Sequence, residues 1–213
     1  MIRLDLNNIS LASEEFSRIS FKPDEFTDPR LYPPKGDPRE NVLRYFLVMV
    51  AMDHRTSTPQ IEFKSIIDGA TYRGAYLLYR LGMLKYYSNP EFFSPRRLSE
   101  IGIDEVRNWL TVRDPRGREV TVRDVELRTL LLRDLGVKVL KLYGGEVSKI
   151  LELSGNRIKG LKPGIVDLLK DFRAYQDPVE KKAFLLIKFL ERRGLFTPVD
   201  YENAEVPVDN RLT

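Results

Sequence analysis

Cysteine is absent from the 213 residues, and histidine occurs once, at position 54. The first absence excludes disulfides and thiolate metal sites, and the second argues against a protein-only zinc site. No window approaches the apolar length that spans a bilayer, and the N-terminal MIRLDLNN has no apolar signal-peptide core. The expectation is a soluble, cytoplasmic protein with no membrane partner. Also missing are a phosphate-binding P-loop, a dinucleotide-binding glycine pattern, a nucleophile-elbow serine and a zinc signature. A histidine-based triad would have to use His54, and nothing in the sequence points to a partner nucleophile. No metal or other cofactor is expected.

What is present suits a packed helical protein. Hydrophobic residues make up 42% of the chain, enough for a proper core. Thirty-five Lys and Arg face 31 Asp and Glu, a net charge of +4, which permits a phosphate-bearing ligand or nucleic acid without requiring one. Abundant charge, no cysteine and short proline-marked connections lean toward a thermophile.

Prolines at 23, 29, 33 and 34 rule out a long helix there, so residues 1–36 read as irregular, with Phe21, Phe26, Leu31 and Tyr32 packed down. Asp37-Pro38-Arg39-Glu40 signals a helix start, and Val42, Leu43, Phe46, Met49 and Val50 continue it as a central helix. It ends in Asp53-His54-Arg55-Thr56-Ser57, polar groups placed either to line a pocket or simply to satisfy a helix end. Further helices are expected over 70–87, after Ser94-Pro95, over 103–110, from Thr121 to Tyr143, over 146–153 and over 163–172; Asp114-Pro115-Arg116-Gly117 reads as a turn. No sustained period-2 alternation is visible. The expected fold is all-α, seven to nine helices in a single domain over 1–213. The long helix at 121–143 could mark a border between two lobes, 1–120 and 121–213.

The last helix carries the clearest chemistry. Asp177 can cap it, Pro178 fits its first position, and Ala183, Phe184, Ile187 and Leu190 recur at helical spacing until Gly194. Lys181 falls in its first turn, where the helix dipole and the like charge of Lys182 both disfavour an ammonium, as a nucleophilic amine requires. Asp209 follows 28 residues later (209 − 181), where a carboxylate could stabilise cationic charge at a sugar carbon or deprotonate an attacking amine or water. Taken alone, these residues also read as the solvated face of an amphipathic helix and a cap.

Two family patterns meet here. Glu180-Lys181-Lys182-Ala183-Phe184-Leu185-Leu186-Ile187-Lys188 with Val206-Pro207-Val208-Asp209-Asn210-Arg211 resembles the catalytic lysine and aspartate regions of the helix-hairpin-helix DNA glycosylases, closest to the archaeal 8-oxoguanine glycosylase group. In that superfamily the lysine attacks the sugar and the aspartate assists. The resemblance therefore implies those roles for Lys181 and Asp209, on a multi-helix HhH-GPD-type domain.

A wider pattern resembles the queuosine salvage proteins, nucleoside glycosidases of related helical fold. It runs through Asp28-Pro29-Arg30-Leu31-Tyr32-Pro33-Pro34, Arg44-Tyr45-Phe46-Leu47-Val48, Phe92-Phe93-Ser94-Pro95, Leu135-Gly136, Tyr143-Gly144-Gly145, Asp171-Phe172-Arg173-Ala174-Tyr175 and Lys181. Together the patterns imply an N-glycosidase acting on a modified purine or deazapurine, as a nucleoside, a nucleotide or damaged DNA, with abasic-site lyase activity open to it. Phe172 or Tyr175 would stack on the base, Asp53, His54 and Arg55 would read its edge, and Arg211 would join the substrate-binding set.

The departures are local. Asp53-His54-Arg55-Thr56 replaces the aromatic run of the salvage proteins. Lys162-Pro163-Gly164-Ile165 is the nearest approach to the glycosylase hairpin and lies early. Both families continue past the aspartate with supporting helices, whereas four residues follow Asp209 (213 − 209), so the pattern reads as truncated. A non-catalytic helical module that binds nucleic acid is the alternative.

Overall fold

The computed structural model describes residues 5–20 and 22–207. In chain order its elements are helix α1 (Leu6–Ser17), helix α2 (Arg39–Met52), strands β1 (Lys64–Ile67) and β2 (Ala70–Arg73), and helix α3 (Gly74–Ser88). Helices α4 (Pro95–Ser99) and α5 (Ile103–Trp109) and strands β3 (Thr111–Arg113) and β4 (Glu119–Thr121) come next. Helices α6 (Val125–Tyr143), α7 (Ser148–Ser154), α8 (Ile165–Leu169) and α9 (Lys181–Arg192) complete the series.

One apolar run decides the layout. Val42, Leu43 and then every residue from Tyr45 to Met52 are buried. A helix apolar on all sides has to be enclosed, and α3, α6 and α9 each pack against α2. Phe189 of α9 stacks on Phe46 of α2, ring centroids 5.3 Å apart. The segment before α2 crosses this face as expected, with Phe26, Leu31 and Tyr32 buried; Phe26 meets Phe189 edge-on at 4.5 Å. Phe21 lies outside the described residues. The buried apolar residues form one cluster running from Phe26 to Phe196.

Two features correct the all-α expectation and the irregular start. The protein is helix-rich, but it also carries two antiparallel hairpins, β1–β2 and β3–β4. Asp68 and Gly69 both adopt positive φ (50° and 75°), the backbone that a two-residue hairpin turn needs, and Ile67 pairs with Ala70 across it. In the second hairpin the Asp114 carboxylate accepts the Arg116 and Arg118 N–H groups at 2.8 and 2.9 Å, closing the expected turn. The Ser65 hydroxyl donates to the Arg113 carbonyl at 2.7 Å and ties the hairpins together. Strands of three and four residues are too short to display alternation. Residues 70–73 are consequently strand, and α3 starts at Gly74. At the N-terminus, α1 is helical, capped by Asp5 and fully exposed, because the prolines that forbid a helix begin only at Pro23.

Helix starts also moved for physical reasons. Asp37 does not cap α2; its carboxylate accepts the Tyr86 hydroxyl at 2.8 Å. Thr121 ends β4, its hydroxyl 2.8 Å from that of Thr111, so the long helix begins at Val125. It ends at Gly144, in the left-handed conformation, as its glycine pair indicates.

Gly136 sets the approach of α6 to α4. A Cβ there would stand 2.4 Å from the Ser99 nitrogen and 2.6 Å from the Pro95 carbonyl oxygen, both backbone atoms. Alanine favours a helix over glycine by about 1 kcal/mol, but overpacking against backbone costs about 1–3 kcal/mol. Gly136→Ala is therefore expected to lower the stability read by urea denaturation, and a variant as stable as wild type would refute this account of the α4–α6 contact.

Candidate functional site

The enclosed α2 creates a problem at its C-terminal end, where the last carbonyls have no partner within the helix. Arg128 of α6 takes the last of them and reaches on into the loop that follows. Its guanidinium donates to the Met52 carbonyl, to those of His54 and Arg55 at 3.0 and 2.9 Å, and to Arg123 at 2.8 Å. Burial lowers its pKa to about 10, opposed by Asp124 and Asp53, so it remains a cation at neutral pH.

Lys182, from the first turn of α9, takes another of these carbonyls. Its Nζ donates to the Ala51 carbonyl at 2.6 Å. Burial pushes its pKa down to about 8; Asp177 and Asp53 work against the shift, while Arg128 and Lys181 add to it. The two helices thus meet end to end in charge terms, the cation of one on the carbonyls of the other.

The start of α9 is built by the residues before it. The Asp177 Oδ2 accepts the Lys181 N–H at 2.5 Å, so Asp177 does tie down the helix start. The helix itself begins at Lys181, with Glu180 at φ 52° just before it, three residues later than the cap-proline signal implies. The Glu180 carboxylate is clamped between Lys159 and Lys170 at 2.5 and 2.7 Å. The other Asp177 oxygen, Oδ1, is buried with no hydrogen-bond partner among the described residues.

His54 sits in this setting as a neutral ring. Its pKa falls from 6.5 to about 3, first through burial and then through the cations Arg128, Lys182 and Lys181. Neither ring nitrogen has a hydrogen-bond partner among the described residues, and the same is true of the buried Tyr79 hydroxyl. Burial, followed by the charge of Asp53, pushes that hydroxyl's pKa well up. The result is a neutral imidazole, a phenol and one carboxylate oxygen unpaired around the charged pair of helix ends.

Of the residues singled out in the sequence, Asp53, His54 and Lys181 come together here. Asp53 acts electrostatically on Lys182, Arg128 and Tyr79, and Lys181 acts on His54. Arg55 follows in the same loop, exposed. Phe172 and Tyr175 do not join them as stacking surfaces. Phe172 is 0% exposed, packed against Tyr143 at 5.9 Å, and the buried Tyr175 donates its hydroxyl to the Leu47 carbonyl at 2.7 Å. Their place in the core corrects the base-stacking role, because neither ring has a face open to a ligand. Asp209 and Arg211 lie outside the described residues. Arg128, Asp177 and Tyr79 enter the site unforeseen, and Lys182 enters as more than a neighbouring charge. Only Asp177 had a local signal, its position before a proline.

The single histidine gives an unambiguous probe. Its ring-proton NMR shifts are expected to stay at neutral-imidazole values from pH 8 down to about pH 5, given a pKa of about 3 against an ordinary 6.5. Because the folded pKa is the lower one, the contribution of His54 to stability is complete above pH 6.5 and falls away as the pH drops toward 3. His54→Gln should flatten that part of the pH–stability curve. A ring titrating with a midpoint near 6.5 would show that the imidazole is solvated.

Among the described residues, no helix is long and apolar enough to cross a membrane. The chain matches no family model and no curated protein.

Proposed function

We propose that the chain is an N-glycosidase that cuts the bond between a modified purine or deazapurine and its sugar. The observation that carries the reading is the meeting of the lysine-bearing start of α9 with the Asp53-His54 end of α2. A base-excising lysine needs this kind of setting: an amine near desolvated cations, with polar groups close by that can hold a heterocycle. On this reading Lys181 is the nucleophile or the cation that contacts the sugar. Asp209 stabilises the positive charge that develops at the sugar carbon.

The roles of the loop after α2 follow from its protonation. A neutral imidazole offers one donor and one acceptor, and a carboxylate offers only acceptors. His54 and Asp53 can therefore hold a base edge that presents both kinds of group. Arg55, exposed in the same loop, adds a positive charge beside them. The connection between α7 and α8, which precedes the lysine helix, is held by close backbone contact. A Cβ on Gly164 would stand 2.3 Å from the Ile158 carbonyl oxygen, so only glycine fits there. The Asp200 carboxylate holds the same turn by accepting the Ile158 and Lys159 N–H groups at 2.8 and 3.2 Å.

Base release measured by mass spectrometry tests the proposal, with queuosine nucleoside, its 5′-monophosphate and duplex DNA containing 8-oxoguanine as substrates. Release is expected from at least one, with a loss of about 100-fold or more in Lys181→Ala and in Asp209→Asn, the scale set by removing a positioned acid, base or nucleophile. Silence on all three from folded protein, or undiminished release by both variants, would overturn it. A protein that binds nucleic acid but releases no base would be the non-catalytic module instead.

A further inference from the structure

A groove of about 350 Å³ opens between the segment around Asp28–Leu31, the β1–β2 hairpin and the first turn of α3. That volume falls within the roughly 300–1,000 Å³ typical of small-molecule sites. Its lining includes Asp28, Arg30, Tyr72, Arg73 and Tyr76. None of these has a part in the glycosidase reading.

The lining combines cations with aromatic surface. Arg30 grips Asp28 through Nε and Nη2 at 3.0 and 2.7 Å, which anchors its guanidinium at the edge and offsets the groove's carboxylate. Arg73 is exposed and pairs in register with Lys64 across the hairpin, so a second and a third cation stand on that side. Asp68, at the hairpin turn, is held by Arg80 at 2.6 Å. The buried Tyr72 forms a fixed wall, with the Arg80 guanidinium 6.0 Å from its ring centre. Tyr76 presents a large ring that is 64% exposed.

The groove adjoins the candidate site. The Tyr32 hydroxyl feels Tyr76 and Asp28 of the groove and also Asp53 of the site. A Cβ on Gly74, next to Arg73, would come 3.6 Å from the Thr56 hydroxyl, in the loop that follows His54.

We infer that this groove binds a nucleotide unit, its base lying against Tyr76 and its phosphate held by Arg73 and Arg30. An aromatic ring beside a cationic track is the arrangement that binds nucleic acid strands without reading sequence. The same chemistry serves a free nucleotide or one nucleotide within a strand. The inference rests on the glycosidase reading only for direction: a strand lying in the groove would run toward Asp53, and the unit held here would neighbour the one that is cut.

Fluorescence anisotropy with a labelled oligothymidylate of about eight nucleotides, within the span of a single-strand site, tests this alongside calorimetric titration with adenosine 5′-monophosphate. Tyr76→Ala should weaken binding about 10-fold, a typical loss for one stacked base, while Tyr76→Phe retains it. Arg73→Ala should weaken binding and flatten its dependence on salt between about 50 and 200 mM, as loss of one phosphate contact does. Both positions are exposed, so the variants should fold.

Binding of the oligonucleotide with these sensitivities supports a strand as the source. Binding of the mononucleotide alone, with the same sensitivities, supports a free nucleotide. No saturable binding of either probe, or affinities unchanged in Tyr76→Ala and Arg73→Ala, overturns the inference. Neither probe has to be cleaved, so this result is separable from base release: strand binding without base release would remove the glycosidase reading and leave the groove. Base release without groove binding would do the reverse.

Discussion

Arg128 has no exposed surface, and its guanidinium is spent on backbone carbonyls, three at and just beyond the end of α2 and one, that of Arg123, ahead of α6. A buried carbonyl left unpaired costs about 1–3 kcal/mol, and four are satisfied at once by one planar fork of donors. Lysine could not do this, because its ammonium is a compact point charge with three donors. The cation also sits where a helix dipole favours it. Burying a guanidinium is itself unfavourable, as its lowered pKa records. The charge is retained because the alternative is an open end on the most enclosed helix of the protein.

That solution generates the site. An apolar helix wrapped by three others has to end somewhere in or near the core, and polar groups must collect at its end. Lys182 reaches the Ala51 carbonyl from α9, and Asp53 and Asp177 lie within electrostatic reach of it. Buried, and beside these cations, His54 cannot readily protonate and remains a neutral donor and acceptor. The chemistry at this point is a consequence of how the core is closed, not an ornament on its surface.

How much of this was visible in the sequence depended on whether the cause was local. The central α2, the break at Gly144-Gly145 and the amphipathic face of α9 follow from spacing alone, and the structure contains them. The β1–β2 hairpin had its signal too, the Asp68-Gly69 pair, but its strands were too short to alternate. The placement of Phe172 and Tyr175 was out of reach, because an aromatic residue in a short segment reads alike whether it faces a pocket or the core. Arg128 left no trace in the sequence at all: it lies in the first turn of α6, and three of the four carbonyls it holds are more than 70 residues earlier in the chain. The polar loop after α2 was recognised as either a pocket or a helix end. In the structure it serves as a helix end, and the pocket role belongs to the proposal.

The charge balance around Lys182 bears on what a glycosidase here could achieve. Lys181, Lys182 and Arg128 contribute three positive charges, and Asp53, Asp124 and Asp177 three negative ones, so this group balances (3 − 3) with His54 neutral. On the glycosidase reading one lysine has to lose its proton to attack, and that loss leaves the group at −1 (2 − 3). A net negative charge favours the positive charge that builds on the sugar carbon. Nucleophile activation and stabilisation of the sugar cation are then coupled through the charge on a single pair of lysines.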